Sequence, residues 1–344
     1  MPKYYDGSKL LRTLDINGEK PEIYICTSNR SAGKSTWFNR YAFQRWLDAG
    51  EKFCLVYRFI TDMSDVAAQF FDEIRRLFFP DYIVQSEPVA GGAYHVLKCD
   101  GDPCGYAVAL NSADKIKRHS HRLADVACMI FDEFQSENGQ YAPNEVNKFK
   151  SLHVSIARGG GEQSRYVPVY MISNPISLIN PYYVELGVAD RLQSNTRFLR
   201  GEGWVLEQGY NESAAQAQKE SAFNRAFGAS GYIAYASEGK YLLDQSSAIE
   251  KQSGKSQYLC TICYGGKEYG IRRFPETGIV YCSKSVDKTA PIRIATTTDD
   301  MQTNYVALSM YPSLIQALRY YFNRGAFRFS DAQSRAAVFR LLSY

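Results

Sequence analysis

No apolar run in this 344-residue chain approaches the roughly 20 residues that a membrane-spanning helix needs. The opening stretch, MPKYYDGSKLLRTLDINGEK, has no continuous apolar segment either, so a secretory leader is not expected. Paired cysteines are scarce: the eight are scattered, and only Cys260 and Cys263, in QYLCTICYGG, stand close together. On a strand those two point to opposite faces, and no second Cys/His pair follows at zinc spacing. A zinc finger and a disulfide framework are thereby excluded, leaving free thiols buried in a reducing compartment. Charge of one sign is lacking too, since 40 Lys and Arg face 36 Asp and Glu. Internal repeats and low-complexity tracts are absent.

What is present is an alternation of strand and helix patterns through the first 200 residues. EIYICTS reads as a buried strand, KSTWFNRYAFQRWLDAG as a helix stopped by Gly50, KFCLVYRF as a strand, and DMSDVAAQFFDEIRRLFF as a helix closed by Pro80. AYHVLKC and GYAVAL flank the turn DGDPCG; VACMIFDEF, the helix PNEVNKFKSLHVSIAR and the strand YVPVYMISN follow. Such alternation predicts an α/β fold with a mostly parallel sheet covered on both faces. After about residue 200 the pattern changes. NESAAQAQKESAFNRAFG is Ala-rich and polar, an exposed connecting helix or lid, and three short strands from Gln257 to Lys284 plus two terminal helices read as a smaller α+β domain. The expected division is residues 1–200, a linker or lid over 201–246, and 247–344.

Between the first strand and helix lies SNRSAGKS. A complete phosphate-binding loop reads G-x-x-x-x-G-K-[ST], and here Ser28 stands at the first glycine. Serine is tolerated there if its φ stays negative. The candidate nucleotide-binding residues are Ser28, Asn29, Arg30, Ser31, Ala32, Gly33, Lys34, Ser35 and Thr36, with Lys34 for the phosphates of ATP and Ser35 for Mg²⁺. Arg30 is placed to touch phosphate or to pair with a carboxylate across the site.

VACMIFDEF ends a buried strand in Asp132 and Glu133, at the carboxyl edge where α/β sheets bind ligands. Asp132 is assigned to Mg²⁺ and Glu133 to the attacking water as general base. Asn174, ending YVPVYMISN, is a candidate γ-phosphate sensor. Arg158, beyond a helix end and before a glycine run, is the candidate arginine finger acting on a neighbouring subunit, with Arg165 as fallback; an ordinary helix-end arginine is the bland alternative. The loop DKIKRHSHR offers Lys115, Lys117, Arg118 and Arg122 to DNA phosphates, or is simply a solvated turn; His119 and His121 find no partners for a metal. At the end of the chain Arg319, Arg324, Arg328, Arg335 and Arg340 face a single Asp331, a modest basic patch or an ordinary solvated face.

SNRSAGKS, MIFDEFQSENGQYAPNEVNKF, YMISNPISLINPYY and TTTDD together resemble the phi29-type double-stranded DNA packaging ATPases of small tailed phages. The likeness runs through most of the chain in the same order, is most specific around Asp132 and Glu133, and weakens after residue 200. It implies an ATPase core of the additional-catalytic-Glu class and a homo-oligomeric ring, a pentamer in the family. The ring would sit at the procapsid portal in the host cytoplasm and thread double-stranded DNA inward. Participation of a packaging RNA stays open. The resemblance also implies a ribonuclease H-like C-terminal domain that has lost its metal site, in keeping with the lack of Asp or Glu in QYLCTICYGG. Two alternatives stand beside this reading: a terminase-like ATPase with an active nuclease, and a P-loop scaffold without turnover.

Overall fold

The computed structural model describes residues 4–66, 69–117, 120–137, 139–158, 161–178, 180–188, 191–192, 196–226 and 250–342. Nine strands form the larger sheet: β1 (Ile23–Thr27), β2 (Lys52–Tyr57), β3 (Val84–Val89), β4 (Tyr94–Cys99), β5 (Asp102–Ala109), β6 (Val126–Asp132), β7 (Val169–Ser173), β8 (Phe198–Gly201) and β9 (Trp204–Gln208). Their order is β3-β4-β5-β2-β6-β7-β1-β9-β8. The six central strands, β5 to β9 in that order, run parallel, and the antiparallel neighbours sit at the edges. The parallel strands are apolar and buried along nearly their whole length, as sheets covered on both faces require. Edge strand β3, with Pro88 within it, carries no clear alternation and was not legible in the sequence; proline is tolerated at an edge because its missing N–H breaks no internal ladder.

Helix Lys34–Ala49 begins after Gly33, whose φ of 87° is left-handed, and ends at Gly50, where φ is 69° and the N–H donates to the Trp46 carbonyl at 2.8 Å. Glycine enters that conformation without the steric penalty of a Cβ. The helix buries Phe38, Ala42 and Phe43 against the sheet, and the Phe38 ring lies 5.2 Å from that of Tyr170 on β7. In helix Glu145–Ala157 the buried stripe is Glu145, Phe149, Leu152 and Ile156. A carboxylate therefore occupies the core face in the first turn, where apolar periodicity favours its neighbour Val146.

The chain divides into two compact units, residues 1–175 with 195–240 and residues 176–194 with 241–344. This differs from a break at residue 200. Trp204, Val205 and Leu206 are buried in β9, which pairs with β1, so the start of the expected linker belongs to the large sheet. Short strands joined by pairing to distant partners give no local signal of the domain they enter. Residues 227–246 of that linker lie outside the described residues.

The second unit holds β10 (Gln257–Tyr264), β11 (Lys267–Phe274), β12 (Ile279–Ser283), β13 (Arg293–Ala295), β14 (Val306–Ala307) and β15 (Phe327–Phe329), in the order β14-β13-β10-β11-β12-β15. The meander β10-β11-β12 is antiparallel and is extended by parallel β13, β14 and β15. Helices Pro312–Asn323 and Ala332–Leu342 contribute Leu318, Phe322, Val338, Phe339 and Leu341 to its core. The five arginines near its end do not form a free basic patch. The Nε of Arg319 donates to the Leu342 carbonyl, Arg324 lies on Tyr320, Arg328 pairs with Glu250, Arg335 lies on Phe339 and Arg340 pairs with Glu185.

Because Phe38 is fully buried behind the glycine-bearing loop, Phe38→Ala is expected to destabilise the large unit by about 3–5 kcal/mol, the usual range for a buried Phe truncation. A clear fall in the urea midpoint checks this, and a shift within the error of the wild type refutes it.

Candidate nucleotide site at the edge of the parallel sheet

From the end of β1 the chain passes through Ser28–Gly33 and straight into helix Lys34–Ala49, so backbone amides gather at the positive end of a helix dipole. Ser28 is not among the described residues with positive φ; the left-handed positions of the loop are Ser31 at 60° and Gly33 at 87°. The missing first glycine therefore costs the loop no backbone strain. Ser28, Asn29 and Ala32 are buried, Arg30, Gly33, Ser35 and Thr36 are half-buried, and Ser31 is exposed.

Lys34 is only 6% exposed, yet its ammonium is turned back on the loop. Nζ donates to the carbonyls of Ser28 at 3.1 Å and Asn29 at 3.2 Å and to Oδ1 of Asn174 at 3.1 Å. Burial pulls its pKa down, while Cys26 and Asp132 oppose that shift. Three neutral oxygens around one buried cation are a set that phosphate oxygens can replace, so the residues fit a nucleotide. They bring Asn174 into the same cluster as Lys34.

The register places the acidic pair there as well. Thr27 pairs with Ser173 and Ile172 with Asp132, so β1, β7 and β6 end level. Burial raises the Asp132 pKa, with the hydrogen bond from Ser35 and the N–H of Glu133 acting the other way. Its pairing with the Ser35 hydroxyl joins the two residues expected to hold Mg²⁺. Glu133 leaves the strand with φ at 53°, a left-handed conformation uncommon outside glycine, and its N–H donates to Oδ1 of Asp132 at 2.9 Å. Desolvation raises the Glu133 pKa, Asp132 and Glu137 add to the rise, and Arg30 and Arg58 counter it. Arg30 pairs with Glu137 across the site at 3.2 Å, one of its two expected roles.

The sequence reading missed the residues that hold this edge in place. Arg58 directly follows β2; its Nε lies 2.9 and 3.2 Å from the carboxylate oxygens of the buried Glu145, and its guanidinium donates to the carbonyls of Glu133 and Phe134. The same fork thus grips the backbone on which Glu133 stands. The strand-edge logic used for Asp132 would have found Arg58, a cation one residue past a buried strand. Tyr5 and Glu207 form a second support: the Tyr5 hydroxyl donates to Glu207 at 2.8 Å and its N–H to the Ala32 carbonyl at 2.8 Å. Just beyond β9, Asn29 and Asn211 exchange two hydrogen bonds of 3.1 and 2.9 Å.

Other expected residues fall elsewhere. Arg158 is exposed at the end of helix Glu145–Ala157 and lines a cleft of about 510 Å³ with Lys117, Asn147, Lys150, Ser151, Val154 and Ser155. The fallback finger Arg165 is engaged at home, its guanidinium donating to the Ile156 carbonyl at 2.9 Å and the Val126 carbonyl at 3.3 Å. From the segment after helix Glu145–Ala157 it ties that helix's last turn to the start of β6. Lys115 and Arg122 are exposed, and Lys117 pairs with Asp114 at 3.1 Å. Arg118 and His119 lie outside the described residues, as do Gly159 and Gly160. In the second unit Asp300 accepts from the N–H of Gly266 and from the hydroxyls of Thr296 and Thr297, so both its oxygens brace a turn.

The opposing shifts at Asp132 have a consequence for stability. Its folded pKa lies above the unfolded value, so its stabilising contribution is present at low pH, where it is protonated, and is lost as pH rises through the folded pKa. Asp132→Asn removes that loss at neutral pH. The ligand-free variant is expected to melt above the wild type, and the melting rise produced by Mg·ATP should shrink; a lower melting temperature without ligand contradicts the electrostatic account.

Residues 4–343 match the podovirus DNA encapsidation protein (Gp16) family. The DNA packaging protein of Bacillus phage phi29 is 25% identical over 316 residues, covering 91% of this chain and 90% of that protein. The bacteriophage Phi-29 viral genome packaging motor assembly has a similar fold, with a TM-score of 0.60 at 23% identity over 98% of each chain. The Phi-28 gp11 DNA packaging motor gives 0.65 at 16% identity over 100% of this chain and 98% of that one. With a match along almost its entire length, and a loop, acidic pair and polar strand end gathered as described, the chain belongs to the podovirus DNA encapsidation protein (Gp16) family.

Proposed function

We propose that this chain is an ATP-hydrolysing motor that drives double-stranded viral DNA into a preformed capsid through its portal. The observation that carries the reading is the meeting of Lys34, Ser35, Asp132 and Asn174 beside Glu133 at one sheet edge. In it the loop amides and Lys34 hold the β- and γ-phosphates, and Ser35 and Asp132 hold Mg²⁺, which when bound neutralises phosphate charge. Glu133 orients the attacking water and accepts its proton. Its raised pKa brings it closer to neutrality than an ordinary carboxylate, where a general base works best. Asn174, bonded to Lys34, exchanges that partner when phosphate arrives, and so reports occupancy.

Arg158 is assigned to a neighbouring subunit's site. It is exposed, it ends a helix, and Lys117, paired with Asp114, and Lys150 line the same cleft, so positive charge gathers around it. A finger in trans requires a ring of copies, for which the family resemblance gives five, mounted on the procapsid in the host cytoplasm with RNA participation open. DNA contacts by Lys115, Lys117 and Arg122 would be to phosphates, since packaging must accept any sequence.

Glu133→Gln is expected to keep Mg·ATP binding and lower turnover by about 10² or more, the usual contribution of a positioned base. ATPase rates beside equilibrium binding decide this; full activity in the variant removes Glu133 from the chemistry. Sharing of sites gives a separate test. A finger is worth about 10³ to 10⁵ in rate, so mixing Arg158→Ala with Glu133→Gln subunits should restore hydrolysis that neither has alone. If mixed rings assemble and stay inactive, Arg158 does not act in trans.

A further inference from the structure

If phosphate lies on the loop with its reactive end toward Asp132, Glu133 and Asn174, the remainder of the nucleotide has one direction to take. The strand order β6-β7-β1-β9 puts the acidic pair and Asn174 on one side of β1 and β9 on the other. The α-phosphate, and the nucleoside beyond it, must therefore point across β1 toward the chain leaving β9.

That chain is Gly209–Asn211 followed by helix Glu212–Glu220, and it is pinned to the loop at several points. The Gly209 N–H donates to the Thr27 carbonyl at 2.7 Å, Asn211 exchanges two bonds with Asn29, and Gln218 reaches the Ser31 hydroxyl at 3.2 Å. A Cβ at Gly209 would meet Ser28 at 3.4 Å, so the two segments touch. Between the fixed Gly209 and Asn211 stands Tyr210, 52% exposed. With Glu212, Ser213, Ala215, Gln216 and Lys219 it lines a cleft of about 460 Å³, within the size range of small-molecule sites. Tyr4, 68% exposed, rests 3.2 Å from where a Cβ of Gly33 would lie. A ring held out of the core on a backbone fixed at both neighbouring residues is open to a planar partner.

We infer that the cleft on this segment, which bonds tie to the loop at Gly209, Asn211 and Gln218, is the nucleoside subsite, with the base of the bound nucleotide stacked on Tyr210. Glu212, Ser213 and Gln216 supply hydrogen-bonding groups for the base and ribose edges. This inference rests on the nucleotide-site reading above, and it assigns recognition of the nucleoside to residues that contact neither the reacting phosphate nor the metal ligands.

Binding of ATP and of inorganic tripolyphosphate separates the two halves of the site. Wild type should bind ATP more tightly than tripolyphosphate. Tyr210→Ala should weaken ATP about 5- to 150-fold, the factor that corresponds to a base–aromatic stack of about 1–3 kcal/mol, and leave tripolyphosphate unchanged. Tyr210→Phe, which keeps the ring, should restore ATP affinity. Unchanged ATP affinity in Tyr210→Ala overturns the subsite, as does equal weakening of both ligands, which would make Tyr210 a support of the loop. Failure of the wild type to bind either ligand, with no response to Lys34→Ala, overturns the nucleotide-site reading and the subsite together.

Discussion

Parallel pairing of β6, β7, β1 and β9 in step is the constraint on which the site depends. A strand buried on both faces has room for polar side chains only at its ends. Thr27 opposite Ser173, and Ile172 opposite Asp132, bring those ends level, so polar groups far apart in sequence collect on one edge. A slip of one residue in any of these strands would send its apolar side chains to the other face and move its polar end out of reach. Burial of Tyr24, Phe38 and Tyr170 behind the edge thus fixes both the fold and the spacing of the chemistry.

At that edge the groups are held against their own preferences. Lys34 is buried among neutral oxygens with its pKa pulled down, Asp132 and Glu133 have theirs pushed up, and Glu133 adopts a left-handed backbone. An anion would favour the charged form of the buried Lys34, and a divalent cation would favour the ionised form of Asp132. Arg58 matters because it ties two oppositely demanding features together. Its charge is matched by the buried Glu145, and its remaining donors fix the carbonyls of the turn that carries Glu133. A buried cation with only one of these partners would be costly; with both it can hold a strained turn.

The smaller unit follows a different logic. Its central strand β10 carries no acidic side chain, and the one buried carboxylate near the end of β13, Asp300, has its oxygens committed to a turn. Arginines that look like a nucleic-acid patch in sequence are distributed over a backbone carbonyl, aromatic rings and two carboxylates of the same unit. Charge counts along a helix do not say whether the charges are engaged.

The sequence itself determined where the candidate residues lie along their elements: Gly33, Lys34 and Ser35 at a strand-to-helix junction, Asp132 and Glu133 at a strand end, Asn174 at the next. Strand and helix periods, and the need for glycine at a left-handed turn, are local properties of the chain. Only the tertiary structure decided that β9 belongs to the large sheet, that Glu145 is buried to hold Arg58, that Arg165 is engaged by carbonyls of Ile156 and Val126, and that Gly209 and Asn211, on either side of Tyr210, bond to Thr27 and Asn29. Each of these depends on a partner far away in sequence, for example the 182 residues separating Asn29 from Asn211. Propensity reports what a segment prefers, whereas pairing across such distances is set by which buried surfaces fit when the whole chain packs.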